Sequence, residues 1–416
     1  MNENEEAVIA RSPHPILFVL VLLPAGIAQG FLTITLPFIA RRAGISVSVI
    51  SSIIAIGFMP LILMFLWSPL VDLTLTYKRW CGIGACLCAG MLVLLSAAPL
   101  RPATINLVTL ASFILMTGST LIAVPLGALI AHAVPDEFKG KAAGGYQVGL
   151  TGGTAMGGGA GVWLVAHFSR PITAGLVLGL LSLACLVAVY LLSEKPRLTS
   201  GSILRRILGI GRELWGLVRH PRGAFVVALV ITPIGLGAAN YLWSAVAEEW
   251  HASADIVAAV TGVAGACVAT AGCAIGGWWA DRMDRRVVFL AGGAILAVVG
   301  TILAITPRTP VLFTAGTLSY TMTVGICNAS FSALLFSTIG RGAAAASKYA
   351  IVASLGNLPT SYMTAFDGWL HDRSGSAVML TTEAFVCLVL IGVTAVVLRS
   401  VPALGLRAAV VNKIDL

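Results

Sequence analysis

The sequence predicts an all-α membrane protein: twelve transmembrane helices in two pseudo-symmetric six-helix bundles. Three observations carry the prediction: too few charges for a soluble chain, twelve apolar stretches of bilayer length, and basic residues concentrated in alternate loops. Of 416 residues, 58% are hydrophobic and only 10% charged, with a mean hydropathy of +0.96. Soluble domains carry about 25% charged residues, so water is not the main solvent of this chain.

About 20 apolar residues cross a bilayer core. Such stretches lie at 16–40, 47–70, 80–98, 104–134, 142–167, 172–193, 223–247, 255–280, 287–306, 311–339, 347–370 and 376–398, numbered here as spans 1 to 12. In lipid every backbone polar group needs a partner within its own segment, so each span is expected to be a helix. A β-barrel would need alternation where these runs are continuous. The first stretch is longer than a signal-peptide core and follows the acidic run Met1 to Glu6, which reads as a retained anchor.

The positive-inside rule gives an independent test of this layout. With both termini cytoplasmic, 20 of the 26 basic residues fall on inner segments, six on outer loops and none in a span centre. The expected location is therefore the inner (cytoplasmic) membrane. The formal charge of +9 is accounted for by topology and anionic headgroups, which removes the case for a nucleic-acid partner. The eight cysteines lie inside predicted spans and form neither a disulfide framework nor a zinc spacing. The six histidines occur singly, so no metal, catalytic cluster or cofactor is expected.

The longest polar stretch divides the chain: a bundle at 1–193, a cytoplasmic linker at 194–222, a second bundle at 223–398 and a cytoplasmic tail at 399–416. Within the linker, Ile203, Ile207, Ile210, Leu214 and Leu217 recur at helical spacing while Arg205, Arg212 and Arg219 mark another face, the pattern of an interfacial helix. Matching features recur at a near-constant offset. Asp72 pairs with Asp281, Lys141 with Lys348, and Gln29 and Thr33 with Asn240 and Ser244, as parallel repeats require.

Between spans 8 and 9 stands Gly277-Trp-Trp-Ala-Asp281-Arg282-Met-Asp284-Arg285-Arg286. It resembles the loop signature of the major facilitator superfamily, with Asp284 where the family usually has glycine. The first-half copy, Ser68-Pro-Leu-Val-Asp72 followed by Lys78 and Arg79, is degenerate. The resemblance implies the major facilitator fold and secondary transport by alternating access. A carboxylate at one helix tip can cap the exposed amides that open another helix. On that basis Asp72 is expected to cap span 11 near Ser347 and Lys348, and Asp281 to cap span 5 near Lys141 and Ala142, closing the cytoplasmic side.

Span 5 carries Gly145, Gly149, Gly153, Gly157 and Gly161 every four residues, a stripe that lets helix backbones approach closely. Span 8 offers Gly265, Ala269, Cys273 and Gly277, and the resemblance places these two spans against each other. The exporter signature of the family needs a proline among the span 5 glycines; its absence points to uptake. The runs Leu36 to Ser46, Phe65 to Asp72 and Asp367 to Leu370 look like the AmpG-type branch. That branch contains muropeptide permeases, acetyl-CoA transporters and siderophore importers of the RhtX/FptX type, and the compact length suits the last.

The substrate is expected near the midplane between the halves. Candidate binding residues are Gln29, Thr33, Thr117, Thr154, Asn240, Tyr241, Asn328, Asn357 and Ser361, foremost the amides, which donate and accept. With no Lys, Arg, Asp or Glu at mid-depth in a lining helix, a neutral or zwitterionic solute such as a ferric siderophore fits best; a muropeptide is the alternative. Coupling, with the proton as ion, falls to the two intramembrane acids, Glu383 and Asp367. Span 12 is peripheral in the family, so headgroup-level solvation is the simpler account of Glu383. The expected partners are a small molecule, the bilayer and protons, and the chain is expected to act as a monomer. An integral membrane transferase, the rival class, needs convergent catalytic groups that the short loops do not supply.

Overall fold

The computed structural model describes residues 14–133, 136–192, 218–339 and 354–400, with residues 194, 209, 211–212, 215–216 and 351–352 between them. Most of the described residues are helical, and none of them lies in a strand. Nine of their helices are long and apolar enough to cross a membrane. One of these, Asn357–Ser400, holds both expected spans 11 and 12, joined at Gly375, whose φ of +80° breaks the helical path. Spans 5 and 7 complete a set that fits twelve. Span 5 escapes a hydropathy test because it is rich in glycine. It runs from Asp136–Ala155 through a π turn, Met156–Ala160, into Gly161–His167.

Local chemistry sets the helix ends. Thr76 caps span 3 by accepting from the Arg79 amide, Ser253 caps span 8 through Ile256, and Asp284 caps span 9 through Arg286 at 2.8 Å. This capping role accounts for aspartate where the related signature has glycine. Prolines open spans 4, 7 and 10 at Pro102, Pro221 and Pro310, where the missing amide proton costs nothing. The linker helix expected at 194–222 falls largely outside the described residues.

Span 7 departs from the expected continuous helix over 223–247. Its helix, Pro221–Val230, stops, and only short helical turns, Ala238–Tyr241, Trp243–Val246 and Ala247–Trp250, follow the gap. Pro233 removes a backbone donor, and Gly235 and Gly237 take φ of +68° and +63°, conformations open to residues without a Cβ. Irregular backbone at membrane depth survives only where protein groups satisfy it.

Two compact units result. One comprises Met1–Ile45, Ile56–Arg206 and Ser253–Ala266; the other comprises Ser46–Ala55, Ile207–Ala252 and Cys267–Leu416. In the first unit the span 5 stripe packs on span 1, not on the span 8 residues expected from sequence. A Cβ added at Gly149, Gly153 or Gly157 would strike the carbonyls of Val19, Leu23 or Ile27, and one at Gly161 the Thr35 hydroxyl. Spans 5 and 8 do meet, as expected, but at the start of span 8, where Ala258 and Gly262 lie against Gly159. In the second unit Gly272 and Gly276 approach the span 10 backbone at Met322 and Ile326, while Gly277 faces open space. A spacing of four identifies a close-packing face, but four-residue stripes are alike, so partner choice rests on tertiary fit.

Candidate functional site: a buried carboxyl pair at the break in span 7

The break in span 7 leaves the amides of its restarted helix without intrahelical partners. Glu383 of span 12 supplies an acceptor: its Oε1 takes the Ala238 amide at 2.6 Å, and its carboxylate also accepts from the Ala239 amide. The other oxygen, Oε2, accepts from the Tyr320 hydroxyl at 2.7 Å. Both carboxylate oxygens are thus bonded within the protein, which overturns headgroup solvation as the account of Glu383. A crevice lined by Pro233, Leu296, Gly300, Tyr320 and Leu380 leads to the carboxylate.

Tyr320 is held by an aromatic cluster. Trp243 stands edge-on to it at 5.4 Å between ring centroids and meets Trp250 and Phe313 at 6.2 and 6.4 Å, the edge-to-face geometry that ring quadrupoles favour. Asp367 is 0% exposed and within electrostatic reach of both Glu383 and Tyr320. Neither Asp367 oxygen has a hydrogen-bond partner among the described residues. The hydroxyls of Thr364, one turn before Asp367, and Thr317, one turn before Tyr320, are buried and equally unpartnered. The two intramembrane acids expected from sequence thus form a buried pair of carboxyls, one bonded at both oxygens and one without a hydrogen-bond partner among the described residues.

The polar residues chosen from sequence are for the most part engaged with protein. In the first unit the Thr33, Thr117 and Thr154 hydroxyls donate to the carbonyls of Gln29, Phe113 and Leu150 at 2.8, 2.9 and 2.9 Å, and Gln29 is half-buried. In the second, Asn240 Oδ1 accepts from Thr321 at 2.9 Å, Tyr241 bonds Thr360, and Ser361 donates to the Ala55 carbonyl at 2.6 Å. Asn357 reaches the Ser354 carbonyl at 3.5 Å, and Asn328 is exposed.

Of the residues expected to gate, Asp281, Arg282, Arg79 and Lys141 are exposed, while Arg285 and Arg286 are half-buried. Arg282 lies over the Trp278 ring at 4.2 Å, and Lys78 donates to the Tyr190 carbonyl at 3.2 Å. The Asp72 side chain, Ser347 and Lys348 lie outside the described residues. Sequence reasoning found both acids of the pair but missed Tyr320 and the span 7 amides. The signal was present in Pro233-Ile-Gly235-Leu-Gly237, an interruption of the kind that marks binding sites in transporter helices.

Residues 18–361 match the model of the Major Facilitator Superfamily. Among curated protein sequences none matches significantly. Solved structures of similar fold include a D-xylose–proton symporter, 15% identical with a TM-score of 0.71 over 90% of this chain and 96% of that one. The nucleoside transporter NupG is 15% identical with a TM-score of 0.69 over 92% and 98%. A POT family transporter in complex with 5-aminolevulinic acid is 12% identical with a TM-score of 0.69 over 92% and 95%. At these identities the likeness concerns fold alone, whereas the family match spans most of the chain: this protein belongs to the Major Facilitator Superfamily and is a multi-pass membrane transporter.

Proposed function

We propose that this transporter imports a neutral or zwitterionic organic solute by alternating access, driven by a proton carried on the Asp367–Glu383 pair. The observation that carries the reading is the pair itself. Two carboxyls that share a buried place do not both stay ionised, and no Lys or Arg lies in a predicted span centre to offset them. Glu383 is held as an acceptor by two amides and the Tyr320 hydroxyl, so the proton belongs on Asp367, which accepts from no donor among the described residues. Burying the pair without that proton is costly, which gives proton occupancy a large effect on conformation.

The solute enters the proposal through the AmpG-type stretches of the first half and the lack of basic residues within the spans. A ferric siderophore suits both, and a muropeptide is the second candidate. Binding is assigned to Gln29, Asn240 and Asn357 with their hydroxyl neighbours, and the cytoplasmic gate to Asp72 and Asp281 at the motif loops. Two bundles flanking the 194–222 linker, cytoplasmic termini, an inner-membrane location and a monomeric state complete the reading. One relative in fold is a proton symporter by its description, which makes the coupling ion a natural choice.

The test uses liposomes holding purified protein and an internal pH dye. Addition of a ferric siderophore should acidify the lumen, and an anhydromuropeptide should do so less. Asp367→Asn should abolish proton movement yet keep substrate exchange across the membrane at zero gradient. Full proton-driven accumulation by Asp367→Asn refutes the coupling assignment, and unchanged transport by Asp281→Asn refutes the gate.

A further inference from the structure

The first turns of span 2, Ser46–Ala55, belong to the second unit, where the end of span 11 fastens them at three heights. Ser361 donates to the Ala55 carbonyl at 2.6 Å. Gly368 leaves no room for a Cβ against Ser51. Asp372 caps the helix by accepting from the Val47 and Ser48 amides at 3.1 and 2.8 Å. Ser361, Gly368 and Asp372 share one helical face, so the three contacts form a single seam.

The cap at the top of this seam is tied to a charged cluster. His371, 7% exposed, places Nδ1 3.4 Å from Asp372 Oδ1 and Nε2 2.5 Å from Glu249 Oε1. The other Glu249 oxygen accepts from Arg308 and Ser376, and the Arg308 guanidinium lies 5.0 Å above the Trp250 ring. Asp367 sits one turn along span 11 from His371, and Arg373 stacks away over Trp369 at 4.3 Å. Burial works to raise the Glu249 carboxyl. Hydrogen bonds from His371 and Ser376 and the charges of His371 and Arg308 outweigh it and bring it down to about 2. The cluster therefore sets one imidazole between the carboxylates of Glu249 and Asp372.

A neutral imidazole has one donor nitrogen; only the imidazolium has two. Both ring nitrogens here face carboxylate oxygens. With the proton removed, the ring keeps its shorter bond to Glu249, and the Nδ1 lone pair then opposes Asp372, the carboxylate that holds span 2. We propose that His371 is a second proton site, separate from Asp367, whose protonation latches the start of span 2 to the end of span 11 and whose deprotonation releases it.

Hydrogen exchange of the full-length protein in lipid nanodiscs, without substrate or gradient, tests this independently of the Asp367 assignment. Protection factors for amides 47–55 should fall about tenfold between about pH 5 and about pH 9, the factor carried by one charge-assisted hydrogen bond. Amides 149–157 should not change. His371→Arg, permanently charged, should keep 47–55 protected at every pH, and His371→Gln should leave them unprotected at every pH. These opposite shifts cannot both arise from misfolding. Asp372→Asn should remove the pH dependence with His371 intact. Wild-type protection that is flat with pH, or a pH dependence that persists in His371→Gln, overturns the proposal.

Discussion

Gly152 and Gly153 are neighbours on span 5 with opposite surroundings, and replacing each by alanine separates packing from helix propensity. At Gly152 an added Cβ meets nothing within 4 Å, so Gly152→Ala should gain the ordinary helix preference of about 0.8–1 kcal/mol. At Gly153 the same methyl would lie 2.8 Å from Gly26 Cα, 0.6 Å short of the 3.4 Å at which ordinary contact begins, and against the Leu23 carbonyl as well. These are backbone atoms that no rotamer change can move, so spans 1 and 5 must part by at least that amount. A gap of about 0.5–1 Å forfeits a quarter to a half of each contact's attraction, here along a seam that also includes Gly149 and Gly157. An overpacking cost of about 2–3 kcal/mol exceeds the propensity gain, leaving Gly153→Ala about 1–2 kcal/mol below the parent. Unfolding in mixed micelles, followed by circular dichroism, should place the two variants about 2–3 kcal/mol apart on opposite sides of the parent. Equal stability of the pair would falsify the assignment of the stripe to span 1.

Glu249 predicts an acid limb. Its carboxyl is lowered from 4.5 to about 2, so its contribution of about 3 kcal/mol is present above the ordinary carboxylate range and lost as pH falls toward 2. Glu249→Gln should lower stability at neutral pH and flatten that limb; an unchanged acid profile contradicts the cluster's geometry. Gly237→Ala combines a φ of +63° with a Cβ driven into Val324 and Tyr320, so it should cost about 3 kcal/mol or more. It should also displace Tyr320 from Glu383, visible as a changed tyrosine absorption; a variant as stable as the parent refutes the strained break. Glu194 accepts from the Tyr77 and Lys78 amides at 2.7 and 3.2 Å, and Glu194→Ala should remove about 1 kcal/mol of capping, measured by the same unfolding assay.

The sequence by itself determined the solvent, the helical class and the division into spans, because burial in lipid imposes length and apolarity on each segment independently of its neighbours. It also singled out Asp367 and Glu383, since an acid in an apolar run is conspicuous whatever the fold. Cap residues such as Thr76 and Ser253 were equally local. Only the tertiary structure decided that these acids meet, that Glu383 serves a broken span 7, and that the span 5 glycines face span 1. The same holds for Asp372, Glu249 and His371, which lie in loops or at helix ends where nothing local distinguishes them. A contact between Asp372 and Val47 joins residues far apart in the chain. Such pairings depend on how helices choose partners, and helix-packing stripes built from glycine and alanine look alike until shape complementarity selects among them.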